Sequence, residues 1–346
     1  MSSFAAAFAP APGYVNASTL GLASIAVVEA MQHGLTQWQA GAASPVVYDA
    51  AVASARASFA DLVGMPIRNV SVGPAASIFA GVVAASLPDG ARVVAVADDF
   101  TSILFPFMVQ EQTQRGVSVE LVALSDLAGA TTTDVDLVVF SLAQSRDGAL
   151  VDLDRVLDAA QRAGARTFCD LTQAAGWLSI DAARFDMTVC SAYKWLCQPR
   201  GAAYFTVRDD VMESLTPVNA GWYAGESVWD SVYGPAMHLA SDARRFDVSP
   251  SWLTWVGAAA AGPLFADDPI EVLGAHSIGL ANDLRSRLGL VQCPSPVISL
   301  ADPGGMKARA CVDAGVTAAS RAGALRIGFH LWNTTSDVDL VESALR

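Results

Sequence analysis

Lys194 stands in the run Ser191-Ala192-Tyr193-Lys194-Trp195-Leu196. An amine flanked by two aromatic rings and a leucine is set in apolar surroundings, and burial disfavours the ammonium form. A lysine treated this way becomes a Schiff-base nucleophile near neutral pH. Asp170 closes an apolar run 24 residues earlier, and Gln173 follows it by three. A second apolar run, 187–190, leads straight into the Ser191 to Lys194 segment. Two short β-rich runs, each ending on polar side chains, predict adjacent strands that deliver an acid and an amine to one edge of a sheet.

The elements around these residues alternate. Strands are predicted at 70–72, 92–97, 117–124, 137–141, 166–170, 187–191 and 202–207, with helices at 75–87, 100–115 (despite Pro106) and 152–163. Two helices precede them, at 24–41 and 46–63, the second ending at Gly64. That rhythm predicts an α/β fold with a mostly parallel sheet flanked by helices. Such sheets bind ligands beyond the carboxyl ends of their strands, where Ser77, Phe100, Ser145, Asp170 and Lys194 fall. Gly73-Pro74-Ala75-Ala76-Ser77 opens a helix whose unpaired amides and positive dipole end suit a phosphate; taken alone, Ser77 reads as an ordinary first-turn residue.

The last third predicts a smaller domain. A helix at 270–288 precedes a strand at 297–300, a helix at 307–314, strands at 315–316 and 324–329, and a capping-box start, Thr334 to Asp337, for a final helix. Trp252 and Trp255, three apart, read as core residues of a helix.

Asp170, Gln173, Ser191-Ala192-Tyr193-Lys194 and Pro199-Arg200-Gly201 together resemble the class V aminotransferase family of fold-type-I pyridoxal-phosphate (PLP) enzymes. Kynureninases and cysteine desulfurases belong to that family, and the chain is nearer the kynureninase-like branch. Arg326 to Thr334 is similar to the family's ending. The resemblance implies a large PLP-binding domain over residues 20–245 and a small α+β domain from 1–19 and 246–346. It implies Lys194 as cofactor-bearing residue and general base, and Asp170 as partner of the pyridine nitrogen. Gln173 would donate to the ring hydroxyl, and Phe100 would stack on the ring where desulfurases carry a histidine. Ala76, Ser77, Ser191 and Tyr193 would hold the phosphate. Ser145 stands where the family has an asparagine near the cofactor hydroxyl, and Arg326 would fork onto the substrate carboxylate. Asn16 would approach the substrate, or is simply a turn or cap asparagine; Phe100 reads otherwise as the first core residue of its helix. Trp222 and Ser249, the latter in a Ser-Pro that replaces the family's Gly-Thr, would complete a neighbouring subunit's site. A homodimer is therefore expected.

Composition narrows the alternatives. With 53% hydrophobic and 16% charged residues the 346-residue chain suits a large core. A net charge of −13 disfavours nucleic-acid partners. The stretch 252–266 is too short and interrupted to span a bilayer. Residues 1–12 lack the basic start of a secretory signal, and five cysteines, an odd number, read as reduced residues, predicting a cytoplasmic protein. The four scattered histidines predict no metal site. Residues 316–325, where a desulfurase carries its reactive cysteine, contain none. Transamination of a small α-amino acid is the expected reaction, with a β-lyase as alternative and a non-catalytic PLP-fold binding module as the non-enzyme reading.

Overall fold

A computed structural model describes residues 3–346. Its main sheet contains β1 (Val70–Gly73), β2 (Arg92–Val96), β3 (Ser118–Val122), β4 (Leu137–Ser141), β5 (Arg166–Asp170), β6 (Met187–Ser191) and β7 (Ala203–Val207). The spatial order is β1-β7-β6-β5-β4-β2-β3. The run β3-β2-β4-β5-β6 is parallel, whereas β7 is antiparallel to both β6 and β1. Central strands β4 and β7 are buried throughout, as strands covered on both faces must be. Edge strand β3 is largely exposed.

Helices α1 (Ile25–Gln39), α2 (Pro45–Leu62), α3 (Ala76–Ala85), α4 (Thr101–Glu111), α5 (Leu127–Ala130) and α6 (Leu153–Ala163) supply most of the cover, with a short α7 at Asp209–Met212. Two apolar clusters divide the sheet's faces. Val94, Phe140, Cys169, Cys190 and Tyr204 point into one, and Val93, Val139, Phe168, Val189 and Phe205 into the other. This is the period-2 alternation of strands buried on both sides.

Helix α8 (Trp252–Ala261) lies against α1 and α2, and buried Trp255 meets Tyr204 edge-on at 5.5 Å between ring centroids. Residues 252–261 therefore pack on the large body, although the sequence assigns everything from 246 onward to the small one. The small body comprises β8 (Val297–Ala301), β9 (Ala319–Arg321) and β10 (Ala324–Gly328), ordered β8-β10-β9 and antiparallel. It is covered by α9 (Ile270–Arg287), α10 (Met306–Asp313) and α11 (Thr335–Leu345), the last opened by the Thr334–Asp337 capping box. The strand expected at 315–316 is instead a turn, because Gly315 takes a left-handed φ of 77° after α10. The N-terminal segment joins this body through bridges from Tyr14 to Thr317 and Asn16 to Gly328.

Candidate active site

Parallel pairing of β4, β5 and β6 sets Ser141 beside Asp170 and Asp170 beside Val189, so the acid and the lysine-bearing turn emerge at the same edge. A cleft there is lined by Ala76, Ser77, Phe100, Asp170, Thr172, Ser191, Tyr193 and Arg200, among others. The Asp170 carboxylate is buried. One oxygen accepts the Thr172 amide at 2.8 Å, and the carboxylate borders the cleft. Burial raises its pKa from 3.8 to about 6, against the pull of the Thr172 bonds.

Lys194 is only 4% exposed and forms no ion pair among the described residues. Burial depresses its amine to about 8, opposed by the charge of Asp170. Its Nζ lies 5.2 Å from the centre of the Phe100 ring. Phe100 is 42% exposed at the mouth of the cleft, so it is not a core residue of α4. Asp99 positions it by accepting its amide at 2.7 Å while also binding the Ser141 amide and hydroxyl, which ties the end of β2 to the end of β4.

The turn carrying Lys194 is held from three sides. Gly21 donates its amide to the Tyr193 carbonyl at 2.9 Å. A Cβ on Gly21 would sit 1.9 Å from the Lys194 carbonyl oxygen, so only glycine fits. Trp195 Nε1 donates to Gln173 Oε1 at 2.8 Å. His330 Nδ1 accepts the Leu331 amide, leaving Nε2 to donate to the Trp195 carbonyl at 2.8 Å. That tautomer is neutral, in keeping with a pKa pushed down to about 4 by burial.

Where α3 begins, the Ala76 amide donates to the Ser191 hydroxyl at 3.2 Å, and the Ser191 amide donates to the Thr172 hydroxyl at 2.9 Å. Ser77 sits in the first turn facing the cleft, and Arg200 lies 5.0 Å from the Tyr193 ring centre. Gln173 is fully engaged: its Nε2 donates to the Ser18 carbonyl at 3.0 Å and the Ser145 hydroxyl at 3.1 Å. Arg326 Nη1 reaches the Ser145 carbonyl and Nη2 donates to the Thr19 hydroxyl at 2.7 Å. Its Nε is buried without a partner, as is Oδ1 of Asn16, whose backbone bridges to Gly328. Among the described residues no carboxylate pairs with Arg326, and burial lowers its pKa to about 10. The structure thus gathers Ala76, Ser77, Phe100, Asp170, Ser191, Tyr193 and Lys194, with Gln173, Ser145, Arg326 and Asn16 adjoining. Trp222 packs on Trp229 and Tyr223 instead, and Ser249 is exposed; neither lines the cleft of its own chain.

Sequence reasoning passed over Thr172, Asp99 and His330. The first lies within the Asp170 to Gln173 segment, and the last lies inside the quoted Arg326 to Thr334 ending.

A buried acid, an amine whose pKa burial depresses and a hydroxyl-lined helix start fit PLP, which would set its pyridine nitrogen at Asp170, its aldehyde at Lys194 and its phosphate at Ala76, Ser77 and Ser191. Large mostly parallel sheet, small α+β body and lysine after β6 make this a fold-type-I PLP enzyme. The family model Aminotransferase class-V matches residues 16–294. A kynureninase of Deinococcus radiodurans is 26% identical over 287 residues, 78% of this chain and 69% of that protein. A cysteine desulfurase structure from Escherichia coli superposes with a TM-score of 0.84 at 21% identity, covering 99% of this chain and 96% of that one. A cystine C–S lyase in complex with its product cysteine persulfide gives 0.86 at 15% identity, over 96% and 97%. The chain belongs to the class V aminotransferase family and is a PLP-dependent enzyme. Among the described residues no helix is long and apolar enough to cross a membrane.

Proposed function

We propose that the enzyme transaminates a small α-amino acid, with Lys194 as the base that takes the Cα proton and passes it to the cofactor's former aldehyde carbon. PLP supplies an electron sink once bound. Asp170 holds a proton at the pyridine nitrogen, its own pKa being raised by burial. An amine depressed to about 8 is partly free base near neutral pH, as proton abstraction requires. Arg326, buried and without an anionic partner among the described residues, orients the substrate by its carboxylate. Phe100 limits water and fixes the ring plane.

The observation that carries transamination is what lines the cleft: Phe100 occupies its mouth, no histidine is among the lining residues, and Lys194 is the amine beside it. One base can carry a proton from Cα to the cofactor's former aldehyde carbon, whereas expelling a leaving group from Cβ profits from a second acid. The lyase reading is favoured by the similarity to a kynureninase and to the fold of a C–S lyase. Keto-acid release with candidate amino acids separates them. Transamination gives one keto acid per site, and further turnover only after an acceptor keto acid is added. Repeated release of pyruvate and ammonia with no acceptor overturns it in favour of the lyase.

A further inference from the structure

We propose that Arg321 and Arg326 form a two-arginine recognition face, and that the substrate is an α-amino acid whose own side chain ends in an acid group. This rests on the assignment of Arg326 to the substrate's α-carboxylate.

The register of the small sheet carries the inference. Arg326 pairs with Ala319, and Arg321 pairs with Ala324. Residues two apart on a strand share a face, so Ala319, Arg321, Ala324 and Arg326 all project to one side. The opposite side, Leu325 and Ile327, fills the small core with α9 and α11. Arg326 and Arg321 are therefore diagonal cross-strand neighbours, a separation of about 7–8 Å that long side chains readily bridge. Arg326 faces Ser145 and Thr19 at the cleft, which places Arg321 on the outer part of the same wall.

Two like charges so placed repel each other unless an anion lies between them. The chain has 34 Asp and Glu against 21 Lys and Arg, yet neither arginine has an acidic partner among the described residues. Arg321 makes one hydrogen bond, from Nη1 to the Ser320 carbonyl at 2.8 Å. Its charge is felt inside the site, where it opposes protonation of both Lys194 and Arg326.

The turn fixes this position. Ala322 and Gly323 join β9 to β10 with φ of 46° and 76°, the two-residue geometry that matches strand twist. An alanine held left-handed is disfavoured, yet here it pins Arg321 to the last pair of the hairpin. Depth then assigns the two forks. Arg326, 2% exposed, takes the α-carboxylate common to all amino acids, and exposed Arg321 takes the acid at the end of the side chain.

The test titrates the PLP-loaded enzyme with matched pairs, aspartate against asparagine and glutamate against glutamine, following the cofactor absorption. One acid of a pair should bind at least about tenfold tighter than its amide, a gain reasonable for a charge-assisted fork. Arg321→Gln should collapse that ratio towards one, and Arg321→Lys should restore part of it. Equal affinities within both pairs, or an acid-to-amide ratio unmoved by Arg321→Gln, overturn the proposal. If neutral amino acids perturb the spectrum and acids do not, the Arg321 inference alone fails. If no amino acid perturbs it, the assignment of the site to amino acids fails as well.

Discussion

Replacing Asp170 by asparagine should stabilise the cofactor-free protein at neutral pH while weakening cofactor retention. The carboxylate is buried, and burial raises its pKa from 3.8 to about 6. At about 1.4 kcal/mol per pH unit, keeping it charged costs the apo fold about 3 kcal/mol. The sign follows from proton counting. Because the folded state holds the proton more tightly, this group's favourable contribution is complete below 3.8 and is lost as pH rises through about 6. The substituted amide carries no such charge and its oxygen can still accept from Thr172, so variant and parent should be matched near pH 3.8 and diverge above it. A plateau of about 3 kcal/mol in the variant's favour is expected above a pH of about 6. The assay is urea unfolding of both apo proteins at stepped pH, with added PLP as a second arm. PLP should raise the parent's stability more than the variant's, since only the parent offers a carboxylate to the pyridinium. Asp247→Asn is the control: that acid is equally buried but paired with Arg56 at 2.6 Å, bonded to the Ser71 hydroxyl and accepting the Val72 amide. Stripping its charge leaves a buried guanidinium uncompensated and should cost about 3–5 kcal/mol. A pH-independent difference between Asp170→Asn and parent, or a variant less stable than the parent at neutral pH, refutes the reasoning.

Arg326→Lys should keep the cofactor spectrum and lose about 2–5 kcal/mol of amino-acid binding, because an ammonium cannot supply a planar fork; undiminished binding in spectral titration would remove Arg326 from the carboxylate role. A homodimer is expected in solution, with Trp222 and Ser249 reaching the partner's cleft, since neither lines its own. Light scattering that finds a monomer still binding PLP and turning over substrate contradicts it.

The lysine turn was legible because every cue agreed: two apolar runs, polar residues at both ends, and strands that parallel pairing places side by side. Strand direction was not. A run such as Ala203–Val207 reads alike either way, and it is the lack of a crossover helix between β6 and β7 that permits antiparallel pairing. Asp98 and Asp99 look interchangeable in sequence, yet Asp98 is exposed with Arg146 while Asp99 is buried under Ser141. β9 escaped notice because two of its three residues are exposed, leaving no apolar alternation to read. The hydrogen bonds of Gln173 were hidden for a related reason: Ser18 and Ser145 lie 155 and 28 residues away.

The contrast between Asp247 and Asp170 bears on how the site works. The same chain builds one buried carboxylate with four hydrogen bonds and another that accepts the Thr172 amide and borders the cleft. The fold can therefore satisfy a buried acid, and the sparser bonding of Asp170 goes with its place at the cleft. Among the cations, Arg56 pairs with Asp247 and Arg285 donates to the Ser295 and Val297 carbonyls, whereas Arg326 keeps an unpartnered Nε and Lys194 has no ion pair among the described residues. Charges left short of partners in a largely buried site attract complementary charge more strongly than solvated ones do. Their rigidity comes from neutral supports: Gly21 and His330 on the lysine turn, Thr172 on Asp170, and Ser145 with Thr19 on Arg326. Because those supports carry no net charge, they fix geometry without cancelling the field that cofactor and substrate are bound to neutralise.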